Sequence, residues 1–197
     1  TSMAIDAAEG QIPMAAGPFV FTQAQAAQNA LLVRHVVEAA RARGKRVLEL
    51  FAGAGNFSRE LGRHAQGVWT LDDGRESVSY LRGLAEERRL PINAKHGKAE
   101  LLLPKLARSG KTFDVAVVDP PRRGLGSAAS EALAKVASER IVYVACDPST
   151  LARDLKTLVA SGFRISDVTI FDFMPMTPEI EVVATLEAVP GARPAER

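Results

Sequence analysis

The feature that most constrains this chain is a short strand running straight into a glycine-rich turn. Arg46-Val47-Leu48-Glu49-Leu50-Phe51 is followed by Ala52-Gly53-Ala54-Gly55-Asn56-Phe57-Ser58. An apolar run bounded by turn signals reads as a buried strand, and the residues after the glycines read as a helix start. Glycines at such a turn let the backbone approach a ligand closely. A second run, Gly67 to Leu71, ends at Asp72-Asp73. That places an acid about 20 residues after the turn, where a carboxylate accepts hydrogen bonds from both hydroxyls of a ribose. Ser58 stands where a dinucleotide fingerprint has its third glycine, which disfavours a pyrophosphate ligand. The spacing points to a nucleotide-type cofactor, with Gly53, Gly55 and Asp72 as candidate contacts; a turn that merely joins strand to helix is the competing reading.

The same alternation continues along the chain. Arg46 to Phe51, Gly67 to Leu71, Phe113 to Asp119, Arg140 to Cys146, Ile165 to Phe171 and Ile180 to Leu186 read as strands, and most of the intervening stretches as helices. Gln23 to Arg43 has an apolar face of Ala30, Leu31, Val33 and Val37, which predicts a helix before the first strand; Leu81 to Arg89 and Leu151 to Val159 look similar. Strands alternating with helices predict an α/β fold with a mostly parallel sheet covered on both faces. Ligands then sit beyond the C-terminal strand ends, near the switch in strand order.

Composition bounds the rest. With 197 residues, 47% of them hydrophobic, the chain is long enough for one substantial core, so a single domain over residues 19–187 is expected. Residues 1–18 read as a flexible N-terminal segment and 188–197 as a flexible tail. The opening Thr1-Ser2-Met3 suggests a cloning remnant or an excised domain. A lone cysteine, Cys146, excludes an intrachain disulfide or a thiolate metal cluster, so no metal is expected and a reducing, cytoplasmic setting fits. No apolar run is long enough for a membrane helix. The formal charge of +2 neither demands nor excludes nucleic acid.

Three further strand ends carry chemistry. Asp119-Pro120-Pro121-Arg122-Arg123-Gly124-Leu125-Gly126 delivers a carboxylate into a stiff loop suited to holding a planar base beside a sulfonium; a rigid turn is the competing reading. Ile141 to Cys146 brings the thiol to a strand tip ahead of a predicted helix, whose N-terminus favours thiolate while Asp147 opposes it. An inert buried cysteine is the alternative there. Glu179 and Glu181, two residues apart on a strand, point to one side, so repulsion would raise a pKa and suit one of them as a base. An exposed polar face fits the same spacing.

Taken in order, Phe21-Thr22-Gln23, Leu50 to Ser58, Asp119-Pro120-Pro121-Arg122, Cys146-Asp147-Pro148-Ser149-Thr150 and Thr177-Pro178-Glu179-Ile180-Glu181 resemble the RNA 5-methyluridine methyltransferase family. The resemblance covers about residues 19 to 187. It implies the class I S-adenosylmethionine-dependent methyltransferase (Rossmann-like) fold, a mostly parallel seven-stranded sheet with an antiparallel final strand. It also implies S-adenosyl-L-methionine as cofactor and transfer or ribosomal RNA as partner. Cofactor contacts are implied for Gln23, Phe51, Asn56, Asp72 and Asp119, with Cys146 as nucleophile and Glu181 as proton acceptor. Arg122 is a candidate, on chemical grounds alone, for stabilising charge on a uracil carbonyl oxygen.

The match has departures. Gln25 and Glu179 stand where the family often has Asn and His, and Asp72 where Glu is usual, a shorter reach to the ribose. The upstream RNA-binding region typical of the family is expected to be missing, so the grip on RNA is expected elsewhere. The rivals are a cytosine-C5 methyltransferase, which would show Pro or Thr before the cysteine where this chain has Ala145, a methyltransferase acting on exocyclic nitrogen, and a non-catalytic cofactor- or RNA-binding scaffold.

Overall fold

A computed structural model describes residues 3–5, 14–16, 26–173 and 180–191. The sheet at its centre has seven strands: β3 (Arg46–Leu50), β4 (Gly67–Asp72), β5 (Ile92–His96), β6 (Phe113–Val118), β7 (Ala137–Ala145), β8 (Phe163–Asp172) and β9 (Ile180–Ala188). Their spatial order is β5-β4-β3-β6-β7-β9-β8. The first five in that order run parallel, and β9 is antiparallel to both β7 and β8. Two short strands, β1 (Met3–Ile5) and β2 (Met14–Ala16), pair separately as an antiparallel ribbon within the segment read as flexible.

Both sheet faces are buried, which is why the central strands read as largely apolar runs rather than alternating with polar residues. Leu48, Leu50, Ala116, Val118, Ile141 and Tyr143 pack on one side with α4 (Ala99–Arg108), α5 (Ser127–Val136) and α6 (Pro148–Ala160). Their alternate neighbours Val47, Val115, Val117, Val142 and Val144 pack on the other with α1 (Ala26–Ala40) and α2 (Ser58–Leu61). A third cluster seats α3 (Arg75–Glu87) on β5 through Val78, Leu81 and Ala94.

The six strands read from the sequence are present, with ends shifted by one to three residues. Within the seven-stranded sheet, the strand that periodicity missed is β5. Its sequence Ile-Asn-Ala-Lys-His lies at the sheet edge with only Ala94 fully buried, so it carries no apolar run. Among the described residues no helix is long and apolar enough to cross a membrane.

From β3 the chain builds outward through β4 to β5, then returns to place β6 on the opposite side of β3. The reversal opens a crevice beyond the C-terminal ends of β3 and β6, where doubly wound sheets bind ligands.

Candidate active site

The turn after β3 is shaped by backbone conformations that few residues tolerate. Phe51 has φ +61°, Gly53 φ +52° and Gly55 φ +91°. The two glycines serve different ends. A Cβ on Gly55 would sit 2.5 Å from a methyl of Leu81, so this glycine lets the turn pack on α3. A Cβ on Gly53 would meet nothing within 4 Å, so that position borders open space.

Asp72, at the end of β4, ties the turn to its neighbour: Gly53 N–H donates to Oδ2 and Gly74 N–H to Oδ1, both at 2.8 Å. Each carboxylate oxygen keeps a further lone pair. Asp72, Phe51, Gly97, Lys98, Asp119 and Pro121 border a cavity of about 250 Å³ at the strand-order reversal. Asn56 does not turn its amide that way. Its oxygen and nitrogen both pair with Asn29 of α1, at 2.9 and 3.0 Å, which braces the turn against the helix.

Beneath the turn lies a polar cluster that sequence reasoning passed over. Ser58 donates to Oε2 of Glu49, whose other oxygen has no hydrogen-bond partner among the described residues. Arg59 Nε donates to the Gly55 carbonyl at 2.8 Å. Burial pushes the Glu49 carboxyl up to about 8 despite the Ser58 hydrogen bond, and the nearby Asp119 and Asp72 add to the rise. The signal available in sequence was an acid inside an otherwise apolar strand.

Asp119 follows β6. Burial first, and then the charge of Glu181, raise its carboxyl to about 7. The loop it opens is held from α6. Asp154, fully buried, accepts from Leu125 N–H at 2.7 Å, Gly126 N–H at 3.1 Å and the Tyr143 hydroxyl at 2.7 Å. Arg153 donates to the Asp154 carboxylate at 3.0 Å and to the Arg123 carbonyl at 2.7 Å, and the Thr150 hydroxyl donates to the Arg122 carbonyl at 2.9 Å. Gly124, at φ +70°, is required because a Cβ there would lie 2.5 Å from Asp154 Oδ2. These clamps join residues about 30 positions apart in sequence, which no local pattern announces.

Cys146 directly follows β7 and is partly exposed. Asp147 caps α6, accepting from Ser149 N–H and Thr150 N–H at 2.9 Å and from the Ser149 hydroxyl at 2.6 Å. The helix N-terminus does not win at the thiol. Burial and the charge of Glu181 raise the Cys146 pKa; Arg122 lowers it and Asp119 adds to the rise. The sequence set the helix N-terminus against Asp147 at this thiol; burial and Glu181, on another strand, turn the shift upward. The β7–β9 ladder pairs Ala145 with Val182, so the next antiparallel position sets Cys146 opposite Glu181.

The fold therefore gathers Asp119, Arg122, Cys146 and Glu181 at adjoining strand ends, with Phe51, Gly53 and Asp72 one or two strands away. Gln23 and Glu179 lie outside the described residues.

A family model described as tRNA (Uracil-5-)-methyltransferase matches residues 76–189, more than half the chain and inclusive of Asp119, Cys146 and Glu181. The chain belongs to this uracil-5 methyltransferase family. Within the family, the 23S rRNA (uracil(1939)-C(5))-methyltransferase RlmD of Pseudomonas putida is 34% identical over 183 residues, covering 90% of this chain and 40% of the relative. An uncharacterized RNA methyltransferase of Clostridium tetani is 34% identical over 176 residues, covering 88% of this chain and 38% of the relative. Among solved structures, the Pyrococcus abyssi tRNA (uracil-54, C5)-methyltransferase in complex with S-adenosyl-L-homocysteine superposes with a TM-score of 0.78 at 30% identity, over 90% of this chain and 42% of that one. The chain thus spans about 40% of the length of the relatives it matches.

Proposed function

We propose that this chain is the catalytic portion of an enzyme that methylates C5 of a uridine in transfer or ribosomal RNA, using S-adenosyl-L-methionine. The observation that carries the reading is the placement of Cys146 opposite Glu181, beside a cavity bordered by Asp72 and Asp119.

The residues present fit the cofactor. The open space over Gly53 admits a ligand where any side chain would intrude, and Asp72 offers both oxygens to a ribose while the turn holds it in place. Phe51, Gly53 and Asp119 complete the cradle; Gly55 and Asn56 act by fixing the turn, through Leu81 and Asn29. Gln23 belongs to the proposal by resemblance alone. When bound, the cofactor supplies an electrophilic methyl group on a sulfonium.

C5 of uracil is too weak a nucleophile to take that methyl unaided. The Cys146 thiolate forms a bond to C6 and pushes the ring electron pair toward C5 and the O4 carbonyl, where Arg122 offsets the developing negative charge. Once C5 bears the methyl group, Glu181 accepts the C5 proton. The electrons of that C–H bond re-form the C5–C6 double bond, and the sulfur leaves as thiolate. Because Cys146 is held above the ordinary thiol range in the free protein, its proton passes to solvent before the sulfur adds to C6, which leaves Glu181 free to accept the C5 proton. The base reaches this site out of its stack, as a loop or flipped nucleotide.

Nucleoside mass spectrometry of RNA incubated with the chain and labelled S-adenosylmethionine tests the reading. Label in 5-methyluridine, absent with Cys146→Ala, is expected; label in 5-methylcytidine or in an exocyclic amine would refute it.

A further inference from the structure

A second concavity lies beside the cofactor cavity and shares Leu71 with it. It measures about 510 Å³ and runs between α4 and the face of β4 and β5. Its floor is apolar, made by Trp69, Leu102, Leu106 and Phe113. Its rim is cationic. Lys95, His96, Lys105 and Lys111 line it, and Lys98 and Arg108 fall in the same stretch, residues 95–111; all six are exposed. Glu100 is the one acid in that stretch, and its carboxylate is paired with Arg123. Lys111 holds its ammonium over the floor, 5.0 Å from the Trp69 ring centre and 5.4 Å from that of Phe113.

We propose that this groove binds a stretch of the RNA substrate flanking the target uridine, with phosphates on the lysine rim and riboses or bases against the apolar floor. The inference rests on the reading of the substrate as RNA. Charge selects the occupant: an apolar helix of a protein would leave the rim lysines facing hydrocarbon, whereas a polyanion releases counterions by meeting them. Position agrees. Across the sheet, at about 4.8 Å per strand, β4 and β5 stand roughly 14 to 19 Å from β7, and Trp69 lies level with Ile141, about 17 Å short of Cys146 along the strands, so the groove sits roughly 22 to 25 Å from the thiol, a span of several nucleotides of single strand. The near-neutral total charge conceals this patch because acids elsewhere in the chain balance it.

Trp69 is the sole tryptophan, so its fluorescence reports on the groove floor. Titration with a uridine-containing RNA hairpin at low salt should change Trp69 emission, with an affinity that falls steeply as salt rises. Lys95→Ala/Lys105→Ala removes two surface cations without touching the core or the catalytic groups. Binding should weaken about 10- to 30-fold at 0.1 M salt and the log–log salt slope should drop by about 1.4. Calorimetric binding of S-adenosylhomocysteine should be unchanged. RNA that leaves Trp69 emission unaltered, or binds the double variant as well as the parent, would overturn the proposal; so would a protein-concentration-dependent Trp69 change without RNA, which would assign the groove to self-association. Failure here is separable from failure of the uracil reading. A covalent RNA adduct on Cys146 that forms equally in the double variant sinks the groove alone, whereas lysine-dependent binding without 5-methyluridine sinks the uracil chemistry alone.

Discussion

Cys146 and Glu181 face each other across the antiparallel β7–β9 ladder, one position beyond the Ala145–Val182 pair, and the carboxylate acts on the thiol before any substrate arrives. In the proposed mechanism the base that receives the C5 proton stands near the sulfur that attacks C6; burial first, and then this charge, favour the protonated thiol.

That relationship predicts the pH dependence of thiol reactivity. The Cys146 pKa lies above the ordinary thiol range, so alkylation by iodoacetamide should rise with pH through an inflection above the usual thiol value. Glu181→Gln removes a charge that favours the proton, so the inflection moves to lower pH and alkylation at neutral pH speeds up, while methyl transfer is lost. Arg122→Ala moves the inflection the other way. Rates followed by intact-protein mass spectrometry decide it; a Glu181→Gln inflection at or above that of the parent would refute the coupling.

The loop carrying Arg122 depends on Asp154. Asp154→Asn places an N–H₂ where a carboxylate oxygen accepts from Leu125 N–H and the Tyr143 hydroxyl, leaving buried donors unpaired at a cost of about 1 to 3 kcal/mol in stability. Because the loop is released, the thiol inflection should also rise, and adding Arg122→Ala should then shift it little further. Denaturant unfolding and the alkylation profile measure the two effects; a stability loss with an unmoved thiol would show that the clamp does not position Arg122.

Glu49 should set a pH window for stability. Its folded pKa of about 8 lies above the ordinary carboxyl value of 4.5. Burial therefore favours the protonated form, and this stability is fully present below pH 4.5 and lost as pH rises through 8. The loss proceeds at up to about 1.4 kcal/mol per pH unit. Glu49→Gln cannot ionise, so its stability relative to the parent should improve from pH 5 to pH 8. Asp119, raised to about 7, adds a slope of the same sign that remains in this variant. Unfolding curves across the range check the difference.

Asp72→Asn keeps the shape of the side chain but loses its charge and one acceptor. Charge-assisted bonds of this kind contribute about 1.5 to 3 kcal/mol, so S-adenosylhomocysteine should bind roughly 10- to 100-fold more weakly by calorimetry. Asn56→Ala should act more mildly and through the turn, because its amide faces Asn29.

The sheet could be read from the sequence because its central strands are buried on both faces and so appear as apolar runs; β5, half-polar at an edge, could not. At the site, residues delivered by strand ends were legible, since the fold fixes where strand ends go. The clamp of Asp154 on the loop and the bracing of Asn56 by Asn29 were not, because each joins side chains 27 to 29 residues apart. The direction of the Cys146 shift was hidden for the same reason: it is set first by burial and then by Glu181, on another strand. Net charge was uninformative for its own reason: it averages a cationic stretch, residues 95–111, with acids elsewhere.

The central claim is that Cys146 bonds to uracil C6 during methylation. Mass spectrometry of the chain incubated with S-adenosylmethionine and RNA containing 5-fluorouridine tests it most directly, because fluorine at C5 cannot depart as a proton and the methylated adduct accumulates. The account predicts an RNA-linked peptide containing Cys146, absent from Cys146→Ala. Methylated RNA carrying no covalent link, or a link that persists in Cys146→Ala, would contradict it.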